Sequence, residues 1–109
     1  MGKIEKPGNM AEFNAILDAN QDKPVFIDFF ATWCPPCVGI KPYIEELSGE
    51  FEGRVCFIMV DVDAAADISE AHGIACMPTF KVLKGGAEFK KLEGASRDGV
   101  RAMIEESLA

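Results

Sequence analysis

Two short runs, "PVFIDFFA" ending at Ala31 and "RVCFIMVDV" ending at Val62, limit most tightly what this chain can fold into. Both are apolar at consecutive rather than alternate positions and rich in β-branched and aromatic residues, as strands covered on both faces are. A strand that needs cover on both sides belongs to a sheet between two layers, and the neighbouring segments supply them. "NMAEFNAILDAN" has Asn9 as N-cap with Glu12 three positions on, and sets Met10, Phe13 and Leu17 on one face, which predicts a helix. From Pro35 the apolar residues Ile40, Tyr43, Ile44, Leu47 and Phe51 fall at helical spacing, with a kink expected at Pro42. A short helix is expected over roughly 64–71, stopped by Gly73.

The C-terminal third changes pattern. "TFKVLK" and "AEFKKLE" alternate in polarity around Gly85 and Gly86, which predicts a hairpin. "SRDGVRAMIEESLA" then offers Ser96 as N-cap and lines up Val100, Met103, Ile104 and Leu108 for burial, with Gly99 weakening the helix slightly. Helical crossovers imply parallel pairing and the hairpin adds an antiparallel part. The expected architecture is α/β, a mixed sheet between helices, with a short first strand near residues 3–5.

A length of 109 residues suits a single domain spanning residues 1–109, and 49% apolar with 27% charged residues is the balance of a folded globular chain. A net charge of -7 argues against nucleic acid or an anionic membrane as partner. No apolar run approaches the roughly 20 residues of a membrane span. The N-terminus has no signal-like apolar region and opens with Met1, so a cytoplasmic location is expected. In such a compartment the four cysteines are expected to be reactive, metal-binding or simply buried rather than stapled.

Cys34 and Cys37 close the segment "FFATWCPPC". A structural disulfide over so small a loop would contribute only about 2 kcal/mol in the chain-entropy model, less than a longer loop would give. Zinc needs four ligands, but Cys56 and Cys76 stand apart and His72 is the only imidazole, so no metal site is expected. Redox chemistry fits better. Cys34 falls where a strand gives way to a helix, and the unpaired N–H groups and dipole of a helix N-terminus favour a thiolate, the attacking species in disulfide exchange. Cys34 would be the exposed nucleophile and Cys37 the shielded thiol that resolves the mixed disulfide.

"DFFATWCPPC", "IKPYIEEL", "VDVD" and "CMPTF" together resemble the thioredoxin family, in its order and spacing, over about residues 4–108. The resemblance implies the thioredoxin fold, a central mixed five-stranded sheet flanked by four helices. It implies a protein-disulfide reductase cycling between the Cys34–Cys37 dithiol and disulfide, serving electron transport and cell redox homeostasis. No cofactor would be bound. Electrons would come from an external NADPH-dependent flavin enzyme, a thioredoxin reductase. Asp28 corresponds to the family's buried acid. Interrupting an apolar run, it should have a raised pKa and serve as general base toward Cys37. Pro78 corresponds to the family's cis proline, presenting the Met77 backbone to an extended substrate. Trp33, Pro35, Pro36, Gly94 and Ala95 would complete the docking surface. For Cys76 the resemblance offers a regulatory or dimer-forming thiol on an otherwise monomeric protein, and a plain cysteine is the alternative. His72 is expected on the solvent side of a short helix, without a chemical role.

Two residues depart from the family pattern. Pro35 replaces the usual glycine, as in the related tryparedoxins and nucleoredoxins. Neither Pro35 nor Pro36 can donate an N–H to Cys34, which leaves the Cys37 amide as the nearest backbone donor, and a shifted redox potential is expected. Met59 stands where bacterial members place a lysine, so Asp28 should be harder to ionise. Two rival functions remain at this level. A binding module sensitive to the redox state of the pair would show no turnover, and a more oxidising isomerase-like protein would often carry a histidine in the motif.

Overall fold

The computed structural model describes residues 2–109. The chain runs β1 (Ile4–Glu5), α1 (Met10–Ala19), β2 (Val25–Phe30), α2 (Pro35–Glu50), β3 (Cys56–Asp61), α3 (Ala66–Ala71), β4 (Thr79–Lys84), β5 (Ala87–Glu93) and α4 (Arg97–Leu108). The strands form one sheet in the order β1-β3-β2-β4-β5. β1, β3 and β2 are parallel, while β4 runs antiparallel to β2 and β5 antiparallel to β4. This is the expected five-stranded mixed sheet with four helices. α3 starts at Ala66, two residues later than expected.

Alternation along the strands divides the core between two layers. Phe26, Phe57, Phe80 and Val82 pack against Ile40, Ile44 and Leu47 of α2 and Val100, Met103 and Ile104 of α4. On the other face Val25, Ile27, Phe29, Ile58 and Val60 pack against Phe13 of α1 and Ile68 of α3. β2 is central, so each of its side chains points into a filled layer, which is why its sequence does not alternate.

Local signals set the element ends. The Asn9 side chain accepts from the Glu12 amide at 2.9 Å, and Glu12 Oε1 accepts from the Gly8 amide at 2.7 Å, so both donors at the start of α1 are satisfied. Ser96 caps α4 by accepting from the Gly99 amide at 3.0 Å. Gly85 and Gly86 turn the hairpin at φ +60° and +82°, backbone that residues with a Cβ resist. The consequence for function is a single crowded edge: the carboxyl end of β2, the N-terminus of α2, the turn after β3 and the loop before β4 meet there.

Candidate active site

β2 delivers the chain to Ala31, and Cys34 then becomes the N-cap of α2 with extended backbone angles of φ -99° and ψ 107°. Pro35 and Pro36 fill the first two helical positions, where amide donors would lack intrahelical partners anyway. The first amide able to serve the sulfur is that of Cys37, which donates to Cys34 Sγ at 3.3 Å. Cys34 and Cys37 are joined in a disulfide, with their Cα atoms 5.3 Å apart.

The expected contrast between an exposed Cys34 and a shielded Cys37 does not hold in this oxidised form, where they are 5% and 4% exposed. Both sulfurs belong to a small apolar cluster with Ala31, flanked by Phe30, Val62 and Met77. The solvent-facing positions around them are taken by Trp33, Pro35 and Pro36. Trp33 is 66% exposed, yet its indole Nε1–H donates to Asp63 Oδ2 at 2.8 Å. Asp63 is itself positioned by Asp61, whose Oδ1 accepts from the Asp63 amide at 2.9 Å and the Ala64 amide at 3.2 Å. Sequence reasoning did not single out Asp63. Its only signal was the acidic turn "VDVD" after a buried strand.

The Met77–Pro78 peptide bond is cis, and the Met77 carbonyl oxygen lies 3.7 Å from Cys34 Sγ. The Pro78 carbonyl accepts from the Gly94 amide at 3.0 Å, and Gly94 turns away at φ +99° before the exposed Ala95. Cys76, just before Met77, is exposed and unpaired, with its sulfur 3.8 Å from Thr79 Oγ1. Cys56 is different. It is buried, and burial pushes its thiol up to about 11, so it stays protonated. Among the described residues, no group of three or more His, Cys, Asp or Glu side chains could hold a metal ion.

Asp28 lies opposite Met59 on β3 and Phe80 on β4, on the same face of β2 as Phe26 and so toward the α2 layer. It is 1% exposed, and neither carboxylate oxygen has a hydrogen-bonding partner. Burial alone raises its pKa from 3.8 to about 7. Met59 contributes a thioether beside it and no charge.

His72 is not on the solvent side. It is half-buried at the end of α3, with its ring 5.4 Å from that of Phe13 and 5.3 Å from that of Phe29. A short helix packed on the sheet cannot turn its C-cap residue outward while that residue's ring completes the aromatic cluster. Lys81 Nζ, almost buried on β4, donates to the His72 carbonyl at 3.2 Å, lies 3.4 Å from Nδ1 and pairs with Glu88 at 2.9 Å. Burial first, then the Lys81 charge, holds the imidazole pKa below its ordinary value.

The thioredoxin family model matches residues 6–106. The chain belongs to the thioredoxin family. It is 40% identical to the thioredoxin of Gallus gallus over 94% of this chain and 96% of that one. To the thioredoxin of Coprinus comatus it is 42% identical, over 97% of this chain and 99% of that one. The solved structure of Fasciola hepatica thioredoxin superposes with a TM-score of 0.91 at 31% identity, covering 94% of this chain and 98% of that one. Membership and the Cys34–Cys37 pair make this chain a thiol–disulfide oxidoreductase, a reductase of protein disulfides. Among the described residues of this family member, no helix is long and apolar enough to cross a membrane.

Proposed function

We propose that Cys34 is the attacking sulfur, Cys37 the resolving one and Asp28 the base that serves it. In the reduced protein the Cys34 thiolate attacks a substrate cystine, forming a mixed disulfide and releasing the other substrate sulfur as a thiolate. Cys37, deprotonated by Asp28, then attacks Cys34 Sγ, re-forming the Cys34–Cys37 disulfide and releasing the second substrate thiol. Two electrons pass to the substrate. One observation carries these roles above the others. Cys34 is the N-cap of α2, with the Cys37 amide directed at its sulfur and no charged side chain needed to hold the anion.

A carboxyl that titrates at about 7 accepts a proton at neutral pH, which supports Asp28 as base. Docking would use the Met77 and Pro78 backbone beside the sulfur, with Trp33, Pro35, Pro36, Gly94 and Ala95 around it, an extended substrate segment lying along this rim. Trp33 is held ready by Asp63. The disulfide would be reduced again by an NADPH-dependent flavin enzyme of the thioredoxin reductase class. The free thiols of Cys56 and Cys76 suit a reducing compartment such as the cytoplasm. The protein would act as a monomer, with the exposed Cys76 as the thiol outside the redox pair able to join two copies or be modified.

Reduction of insulin by dithiothreitol tests the assignment. The protein should accelerate it, and Cys34→Ser should abolish the acceleration. Cys37→Ser should instead accumulate a mixed disulfide detectable by mass. Full activity in the Cys34→Ser protein would overturn the roles.

A further inference from the structure

The three most exposed large apolar side chains among the described residues are Trp33, Val38 and Phe89. Phe89 is accounted for, since the Lys84 and Lys90 ammonium groups lie 5.0 and 5.9 Å from its ring centre. Trp33 is held by Asp63 beside the disulfide. Val38, 58% exposed in the first turn of α2, has no such role. A β-branched residue on a helix surface gives up about half a kcal/mol of propensity relative to alanine, and exposure returns little of it through burial. A lone exposed valine would need no explanation. This one is continuous with the active site.

The Val38 amide donates to the Cys34 carbonyl at 3.1 Å, so the two residues stand one helical turn apart on the same face. Side chains on a helix lean toward its N-terminus, which brings the valine methyls toward the turn that carries Cys34. From Phe29 to Ile40 the sequence has no charged residue, although the chain as a whole carries -7. Trp33, Pro35, Pro36 and Val38 thus form an uncharged, exposed border along the α2 side of the disulfide, while the Met77 carbonyl borders it from the loop before β4. A reductase of protein disulfides must lay a substrate polypeptide over this border to reach Cys34.

We propose that Val38 is a specificity-determining residue, which extends the docking surface along α2 and contacts an apolar side chain next to the substrate cysteine under attack. An acidic side chain there would leave water for an uncharged border on a protein of net negative charge, the nearest cation in α2 being Lys41, one turn further from the disulfide. The inference rests on Cys34 as the attacking sulfur.

The test uses two disulfide-bonded peptides, alike except for Leu or Glu beside the attacked cysteine, and hydroxyethyl disulfide as a small neutral substrate. Each peptide rate is divided by the same protein's rate with the small disulfide, which removes any change in Cys34 reactivity. The wild type should prefer the Leu peptide. Val38→Asn should reduce that preference about fivefold, mainly through KM, and Val38→Ile should restore it. An unchanged preference in Val38→Asn, or a loss confined to kcat, would overturn the role of Val38. A wild type that reduces none of the three disulfides would instead overturn the assignment of Cys34, and the proposal with it.

Discussion

Replacing Asp28 by asparagine should make the protein more stable at neutral pH by an amount that depends strongly on pH. The native carboxyl has a pKa of about 7 against 3.8 for an unperturbed one, because burial excludes water and no partner replaces it. Between those two values the native state holds a proton that the unfolded chain has released. Stability therefore falls as pH rises through this window. The contribution is fully present below about pH 3.8 and lost once pH passes about 7. At about 1.4 kcal/mol per tenfold change in proton affinity, the loss across the window is about 4 kcal/mol. Asparagine stays neutral throughout, so its own desolvation adds a constant and leaves the slope untouched.

Urea unfolding of the oxidised wild type and Asp28→Asn at several pH values from about 4 to 8 measures the difference. The disulfide removes Cys34 and Cys37 from the titration, and every other group is shared by the two proteins. The advantage of the variant should grow by about 4 kcal/mol from the acid end to the alkaline end, or about 15 °C in Tm for a domain of this size. A difference that stays constant within about 1 kcal/mol would refute the burial argument. If the carboxyl is also the base for Cys37, the same variant should release mixed disulfides about a hundredfold more slowly at neutral pH. That defect should shrink as hydroxide takes over at higher pH.

Placing a cation beside the carboxyl should reverse the shift: in Met59→Lys the Asp28 titration, followed by NMR of its carboxyl carbon, should move to lower pH, and no movement would count against the register that sets the two residues side by side. The depressed pKa of His72 has the opposite linkage to Asp28. The unfolded chain takes up a proton below about pH 6.5 that the native ring, facing Lys81 and Glu88, resists. Wild type should therefore lose urea stability relative to His72→Phe between about pH 7 and 5, and parallel profiles would argue otherwise. Glu88→Gln leaves the Lys81 ammonium, only 8% exposed, with neutral partners and should cost about 1–2 kcal/mol in urea unfolding. Lys81→Met, which removes the buried charge itself, should cost less.

The parts of this molecule legible in its sequence are those written in neighbouring residues. β2 and β3 showed themselves by uninterrupted apolar runs, α1 and α4 by a cap followed by a stripe, and the hairpin by paired glycines. β4 and β5 were less transparent, because both alternate in sequence and only their place in the sheet separates them. β4 lies between β2 and β5 with helices over both faces, so all its residues but Lys84 are buried, Lys81 included. β5 is an edge, and all its residues except the half-buried Leu92 are exposed. The Trp33–Asp63 bond joins residues thirty positions apart. His72 meets Phe13, Phe29 and Lys81 only because three elements converge. No local pattern encodes such contacts.

Apart from the Cys56 thiol, the described residues of the sheet bury one titratable side chain on each face, and these two are treated oppositely. Lys81, toward α1 and α3, has a carboxylate, a carbonyl and an imidazole within hydrogen-bonding reach. Asp28, toward α2 and α4, has nothing. A fold that merely needed a polar residue on the second face could partner it as it partners the lysine, or omit it, and would be more stable by several kcal/mol at neutral pH. On the proposed reading, an orphaned carboxyl held at that cost, on the side of the sheet from which α2 carries Cys37, serves proton transfer rather than packing. The distinction is measurable in one protein. If Asp28 were structural, Asp28→Asn would leave turnover alone, whereas proton transfer requires the variant to be slower, and the unpartnered carboxyl requires its stability relative to wild type to rise with pH.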